Sequence, residues 1–254
     1  MGVNLFMHSV RLVLGDWRNA LRITGLLYLV YAVPALVLGL IFPQPQPGAA
    51  TAETAAAALS FAPIGIITGL LLLVVYLWLA VTWHRYILLD ETPAGQLPPF
   101  NQSRILAYAG AAVLLVLILL AVALVVGMIL APFLLVVPVF AFLMPVIFIS
   151  IALVIDYRLG LVLPARAIGK PLTFGEAWQA TRGQSGTILV LAIVSALASV
   201  IIDIPAFLLA FLPGIGGILA LLWTLATGWV KLLIGVSILT TLYGYYVEKR
   251  SIPA

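Results

Sequence analysis

The sequence contains no cysteine, and only 8% of its 254 residues are charged. Without thiols it can build no disulfide framework, no thiolate nucleophile, no iron–sulfur cluster and no Cys-based zinc site. Its two histidines, His8 and His84, are far apart in sequence, so no metal site is expected. Acids are equally sparse, and the adjacent pair Asp90 and Glu91 reads as a turn rather than a catalytic dyad. No G-x-S-x-G, Walker A, G-x-G-x-x-G or H-E-x-x-H pattern occurs. The expectation is therefore of no catalytic residue, no cofactor and no enzyme. The shortage of charge excludes most. A soluble domain carries about 25% charged and 45–50% apolar residues, whereas this chain is 65% hydrophobic, with a mean hydropathy of +1.26. It lacks the polar residues needed to cover a water-exposed core. An integral membrane protein is expected.

What the chain does have is apolar runs. A crossing needs about 20 apolar residues. Six runs qualify, giving an all-α polytopic fold with spans expected at about 23–42, 62–83, 105–129, 133–155, 187–211 and 217–243. Residues 105–155 hold no charge, which is too long for one crossing and suits a hairpin turning at Ala131-Pro132. Pro138 and Pro145 are expected to kink the fourth span, and Pro205 to break the fifth. Pro43 closes the first span, and an uncleaved span is expected there rather than a signal peptide. Residues 43–60 read as an extended Pro-rich connector followed by a short Ala-rich helix. Pro213 to Gly217 reads as a tight turn.

Two amphipathic helices are expected beside the spans. Residues 3–20 place Leu5, Phe6, Val10, Val13, Leu14 and Trp17 on one face, which suits a helix lying in the membrane interface. Thr173-Phe174-Gly175-Glu176 fits a capping box that opens a second, with Gly183 ending it. Eleven of the twelve basic residues fall in alternate polar segments, and Lys231 is the twelfth. That asymmetry predicts six spans with both termini cytoplasmic, in a bacterial inner membrane. It also explains the sequence pI of about 9.5 without nucleic acid.

Few residues remain to carry a function. Asp203 and Lys231 are charges inside apolar runs, where insertion costs at least about 2.5–3.5 kcal/mol. Counting 1.5 Å per residue puts Asp203 about 12 Å and Lys231 about 21 Å from the outer turn. That gap of about 9 Å is too wide for direct contact unless Pro205 shifts the register or Lys231 extends. Two readings stay open: a coupled pair in a polar pathway, or Asp203 at the outer interface with Lys231 snorkelling inward. Trp83-His84-Arg85-Tyr86 ends the second span. It reads as an anionic-headgroup site or as a plain interfacial belt. Arg85, Arg104, Arg166 and Arg182 form a basic cytoplasmic rim, which either binds lipid or partner or merely sets orientation. Gly65 and Gly69 form a GxxxG that would permit close helix contact.

The chain resembles the YciC-like bacterial inner-membrane proteins, and the membrane domain fused to some glycerophosphodiester phosphodiesterases. The resemblance rests on the amphipathic start, the six runs, Trp83-His84-Arg85, and two segments, Leu163-Pro164-Ala165-Arg166-Ala167-Ile168-Gly169 and Phe174 to Gly183. It implies a six-helix membrane protein and no particular activity. The leading expectation is a non-enzymatic module that binds membrane lipids, or belongs to a membrane protein complex, through His84, Arg85, Arg104, Arg166 and Arg182. The alternative is a small transporter with a polar pathway at Asp203 and Lys231. A cavity reaching the bilayer midplane would favour the transporter.

Overall fold

The computed structural model describes residues 1–41, 52–93, 95, 97–136 and 140–251, and the described residues contain helices and no strand. The order is α1 (Gly2–Leu14), α2 (Trp17–Ile41), α3 (Ala52–Leu89), α4 (Gln102–Val136), α5 (Phe140–Leu159), α6 (Val162–Ile168), α7 (Phe174–Ala180), α8 (Ser185–Ala210) and α9 (Gly216–Tyr246). Five of these helices, α2, α3, α4, α8 and α9, contain stretches long and apolar enough to cross a membrane. That is the signature of a multi-pass membrane protein.

Several boundaries differ from the sequence expectation. The helix expected over 3–20 stops at Leu14, and residues from Trp17 onward belong to α2. Asp16 makes the joint: its carbonyl accepts the first bond of α2 from Ala20 at 3.0 Å. Its carboxylate takes the amide of Asn19 and the hydroxyl of Tyr86, each at 3.0 Å. The Ala-rich segment is the start of α3, not a separate short helix, and the Pro-rich part before it lies outside the described residues. The expected turn at Ala131-Pro132 does not occur, because α4 stays helical to Val136. Pro138 also lies outside the described residues. Pro34, Pro63 and Pro205 all sit inside unbroken helices. A missing N–H is tolerated in such segments when neighbours satisfy the freed carbonyls. Near Pro205, the Trp223 indole donates to the Ile202 carbonyl at 2.8 Å.

The stretch 156–186, between the expected fourth and fifth spans, is mostly helical. α5 continues to Leu159, and α6 was not foreseen. Pro164 falls in the first turn of α6, where no N–H is needed. Six of its seven residues are buried, so α6 is part of the core. The capping box is present at α7: Thr173 Oγ1 accepts from Glu176 N at 3.2 Å, and Glu176 Oε2 accepts from Thr173 N at 2.7 Å.

The fully buried side chains gather at the end of the bundle that carries the arginines. They include Leu5, Leu79, Trp83, His84, Leu161, Ile188, Leu191, Leu233, Ile238 and Leu242. α1 packs against α8 and α9 through Gly2, Leu5, Ser9 and Val13. A Cβ at Gly2 would meet the Thr187 carbonyl and the Leu191 amide of α8, so only glycine permits that approach. Of the apolar face expected on α1, Leu5 and Val13 are buried, while Leu14 and Trp17 are exposed. At the opposite end, Leu197, Val200, Ile201, Phe207, Phe211, Ile218 and Leu222 are all exposed. Gly65 and Gly69 meet no neighbour, so the GxxxG makes no helix contact here.

Candidate functional site: an ion pair at a cavity between α5, α8 and α9

Two buried polar systems hold the arginine-bearing end together. In the first, Thr240 donates its hydroxyl proton to the Val236 carbonyl at 2.9 Å. Its oxygen must then accept from His84 Nδ1, which lies 2.8 Å away. His84 Nε2 is left as the acceptor for the Tyr108 hydroxyl at 3.3 Å. The network therefore fixes a neutral imidazole with the proton on Nδ1. It ties α4 to α3 and α3 to α9. In the second, the Trp83 indole donates to Ser237 Oγ at 2.7 Å, and Ser9 Oγ bonds to Thr241 Oγ1 at 3.0 Å. Trp83 meets Ser237, His84 meets Thr240 and the Leu88 carbonyl accepts from Arg250 just past α9, so α3 and α9 run parallel. Thr24 meets Trp229 and Tyr28 meets the Leu225 carbonyl, so α2 runs antiparallel to α9. Tyr28 reaches that carbonyl only because residue 228 is glycine, since a Cβ there would meet its hydroxyl at 2.5 Å.

This geometry corrects one expected binding residue. His84 is 0% exposed with both ring nitrogens engaged, so it can touch neither a headgroup nor a soluble partner. Arg85 donates to Glu91 through Nε at 2.7 Å and Nη2 at 2.5 Å, and to the Ala167 carbonyl at 3.0 Å. It ties α3 to α6 and its own loop. Arg104 is half-buried, with its guanidinium packed against Gly169, which takes φ +79° after α6. Arg166 is half-buried and Arg182 is exposed. Of the expected rim, Arg104, Arg166 and Arg182 remain without a carboxylate partner among the described residues.

Asp203 and Lys231 are brought together. Lys231 Nζ donates to Asp203 Oδ1 at 2.5 Å. The expected gap is closed by the extended lysine side chain, because α8 passes Pro205 without breaking. Lys231 is the sixteenth of the 31 residues of α9, and so sits at its middle. The two side chains are 28% and 52% exposed.

Lys231 also lines a cavity of about 350 Å³ between α5, α8 and α9, with Phe6 of α1 at its edge. Ile149 and Leu153 come from α5, Ala196, Ala198, Val200 and Ile202 from α8, and Ile234 and Ile238 from α9. Only Tyr157, Ser195, Ser199 and Lys231 bring side-chain polar atoms to the wall. The Ser195 hydroxyl donates to the Leu191 carbonyl at 2.7 Å and lies within hydrogen-bonding contact of Tyr157. The wall is thus mostly dry, with the ammonium at one end. From Lys231 to Ile238 the slot follows α9 for seven residues, about 10 Å at 1.5 Å per residue. The sequence pointed to its charged end, but its apolar lining is indistinguishable from any membrane helix by composition. No family model, no curated protein and no solved structure matches the chain.

Proposed function

We propose that this chain is a non-enzymatic membrane module that binds lipid, with six spans and both termini cytoplasmic. α5, with 20 residues, is taken as the further span. The eleven basic residues outside the midpoint of α9 support an orientation with the arginine-bearing end inside the cell. The likeness to the YciC-like proteins agrees with this layout.

The observation that carries the reading is the cavity. At about 350 Å³ it is at the small end of ligand pockets. It runs from the middle of α9 toward the cytoplasmic side. Its wall is apolar, so its natural occupant is a segment of acyl chain from the cytoplasmic leaflet. The test is to fill it. Gly235 borders the cavity and its Cβ position is open, so Gly235→Leu together with Ala198→Leu should close the slot without backbone clash. Native mass spectrometry of the detergent-extracted protein should show a co-purified lipid that the double variant loses. Equal lipid retention by a folded double variant would reject the cavity as the binding site.

A second reading is favoured by the Asp203–Lys231 pair and by the reach of that cavity to Lys231 at the middle of α9. A charged group near the bilayer midplane is a hallmark of transport pathways. This reading predicts proton flux into pyranine-loaded proteoliposomes that Asp203→Asn abolishes. Flux no faster than in empty liposomes would reject it.

A further inference from the structure

Among the described residues Arg158 is the one deeply buried arginine, only 7% exposed, at the last turn of α5. Among the described residues no carboxylate pairs with it. Its Nη2 donates to Ser185 Oγ at 2.5 Å, its Cζ sits over the Trp178 ring 4.4 Å from the centroid, and its Nε has no partner. Tyr246, 5% exposed and within electrostatic reach of Arg158, also has a hydroxyl without a partner. A buried cation lacking a counter-charge calls for an anion nearby.

Ser185 is where that anion would bind. It is the first residue of the 26-residue α8, whose N-cap Gln184 gives no side-chain capping bond. The first-turn N–H groups therefore point outward without a cap. Because Ser185 Oγ already accepts from Arg158, its own proton is free to be donated. Gly186 follows, and the space over its Cβ position is open. The exposed Arg182 lies just before the helix. Free amides, a hydroxyl primed by a guanidinium and a second arginine form a recognition set for a tetrahedral oxyanion.

We propose that the N-terminus of α8, with Arg158, Ser185, Gly186 and Arg182, binds a phosphate group. On the membrane orientation given above, this site lies at the cytoplasmic surface, so the phosphate is that of a phospholipid headgroup or a soluble phosphate. The inference rests on the lipid-binding reading for its first source and stands apart from it for the second.

The experiment uses the full chain in dodecyl maltoside, a detergent without phosphate. Dioleoyl phosphatidylglycerol, dioleoylglycerol (the same tails without phosphate) and inorganic phosphate are added separately. Binding is read by native mass spectrometry for the lipids and by calorimetry for phosphate. The variant is Gly186→Asp, which puts a carboxylate over the first turn where space exists and where acids favour helices. Arg182→Gln is the second variant, so the test does not depend on disturbing buried Arg158. The wild type should retain phosphatidylglycerol over dioleoylglycerol, and Gly186→Asp should weaken that retention about tenfold while leaving dioleoylglycerol unchanged. Phosphate binding that Gly186→Asp abolishes, with no preference for phosphatidylglycerol, would assign the site to soluble phosphate. Retention of phosphatidylglycerol and phosphate unchanged in both variants would overturn the proposal. If dioleoylglycerol were still held in that case, the lipid-binding reading would survive it.

Discussion

Removing Asp203 while keeping Lys231 should destabilise the fold, and removing both should not. Lys231 is at the middle of a 31-residue helix, about 22 Å from either end at 1.5 Å per residue. An unpaired lysine at helix centre costs about 2.5–3.5 kcal/mol on insertion scales. The pair is partly open, with the aspartate 52% exposed, so the full desolvation figure does not apply. Asp203→Leu should therefore cost about 2 kcal/mol, somewhat below that range. Lys231→Met leaves an aspartate nearer the helix end and should cost less. The double variant, with no charge left to solvate, should return to within about 1 kcal/mol of wild type, as for other ion pairs replaced by apolar groups. The assay is a double-mutant cycle by reversible unfolding in mixed micelles. Single effects that simply add, within about 0.5 kcal/mol, would show that the contact carries no coupling and would refute this account.

Other expectations are as direct. Thr240→Val removes the acceptor of His84 Nδ1 and should cost about 1–3 kcal/mol, the usual cost of a buried donor left unmade; a thermal midpoint equal to wild type would contradict the assigned network. Asn19, then Tyr86, holds the Asp16 carboxyl below its ordinary 3.8, and the Thr173 backbone, then its hydroxyl, holds Glu176 below 4.5. Both groups are depressed in the folded state, so their stabilisation is fully present above those ordinary values and disappears as pH falls through the lowered ones. Amide protection factors at the α1–α2 joint and in α7, taken against the intrinsic exchange rate at each pH, should fall on acidification, and Asp16→Asn with Glu176→Gln should remove that pH dependence. The six-span layout predicts that single cysteines at Ser251 and Gly217 label from opposite sides of the membrane with an impermeant maleimide. The absence of native cysteine makes that readout unambiguous.

The apolar helices were legible because their runs are long and their charges few. Their ends were less so. Proline was expected to end or break helices, yet Pro205 lies within α8, where a Trp223 indole serves a nearby carbonyl that no local rule could supply. Trp83-His84-Arg85-Tyr86 has the composition of an interfacial belt, and composition cannot show that Ser237 and Thr240, more than 150 residues later, turn polar groups inward to meet it. The Asp203–Lys231 contact escaped depth arithmetic because that arithmetic counts backbone rise and a lysine adds its own length. Arg158 was one of several basic residues in a polar stretch, and only the fold separates it as buried.

The uneven packing along the helices has a mechanical consequence. Where Trp83, His84, Leu191 and Leu242 are fully enclosed, α3, α8 and α9 are clamped. Beyond Leu197 on α8, and before Trp223 on α9, the side chains are largely bare. Such a pair of rods behaves as cantilevers fixed at one end. Force applied by the bilayer at the free tips is carried down to the clamp, and the sideways travel is greatest at the tips and smallest at the root. The slot beside Lys231 lies between those extremes. A change in membrane thickness or tension would alter its width while leaving the buried hydrogen bonds at the root undisturbed.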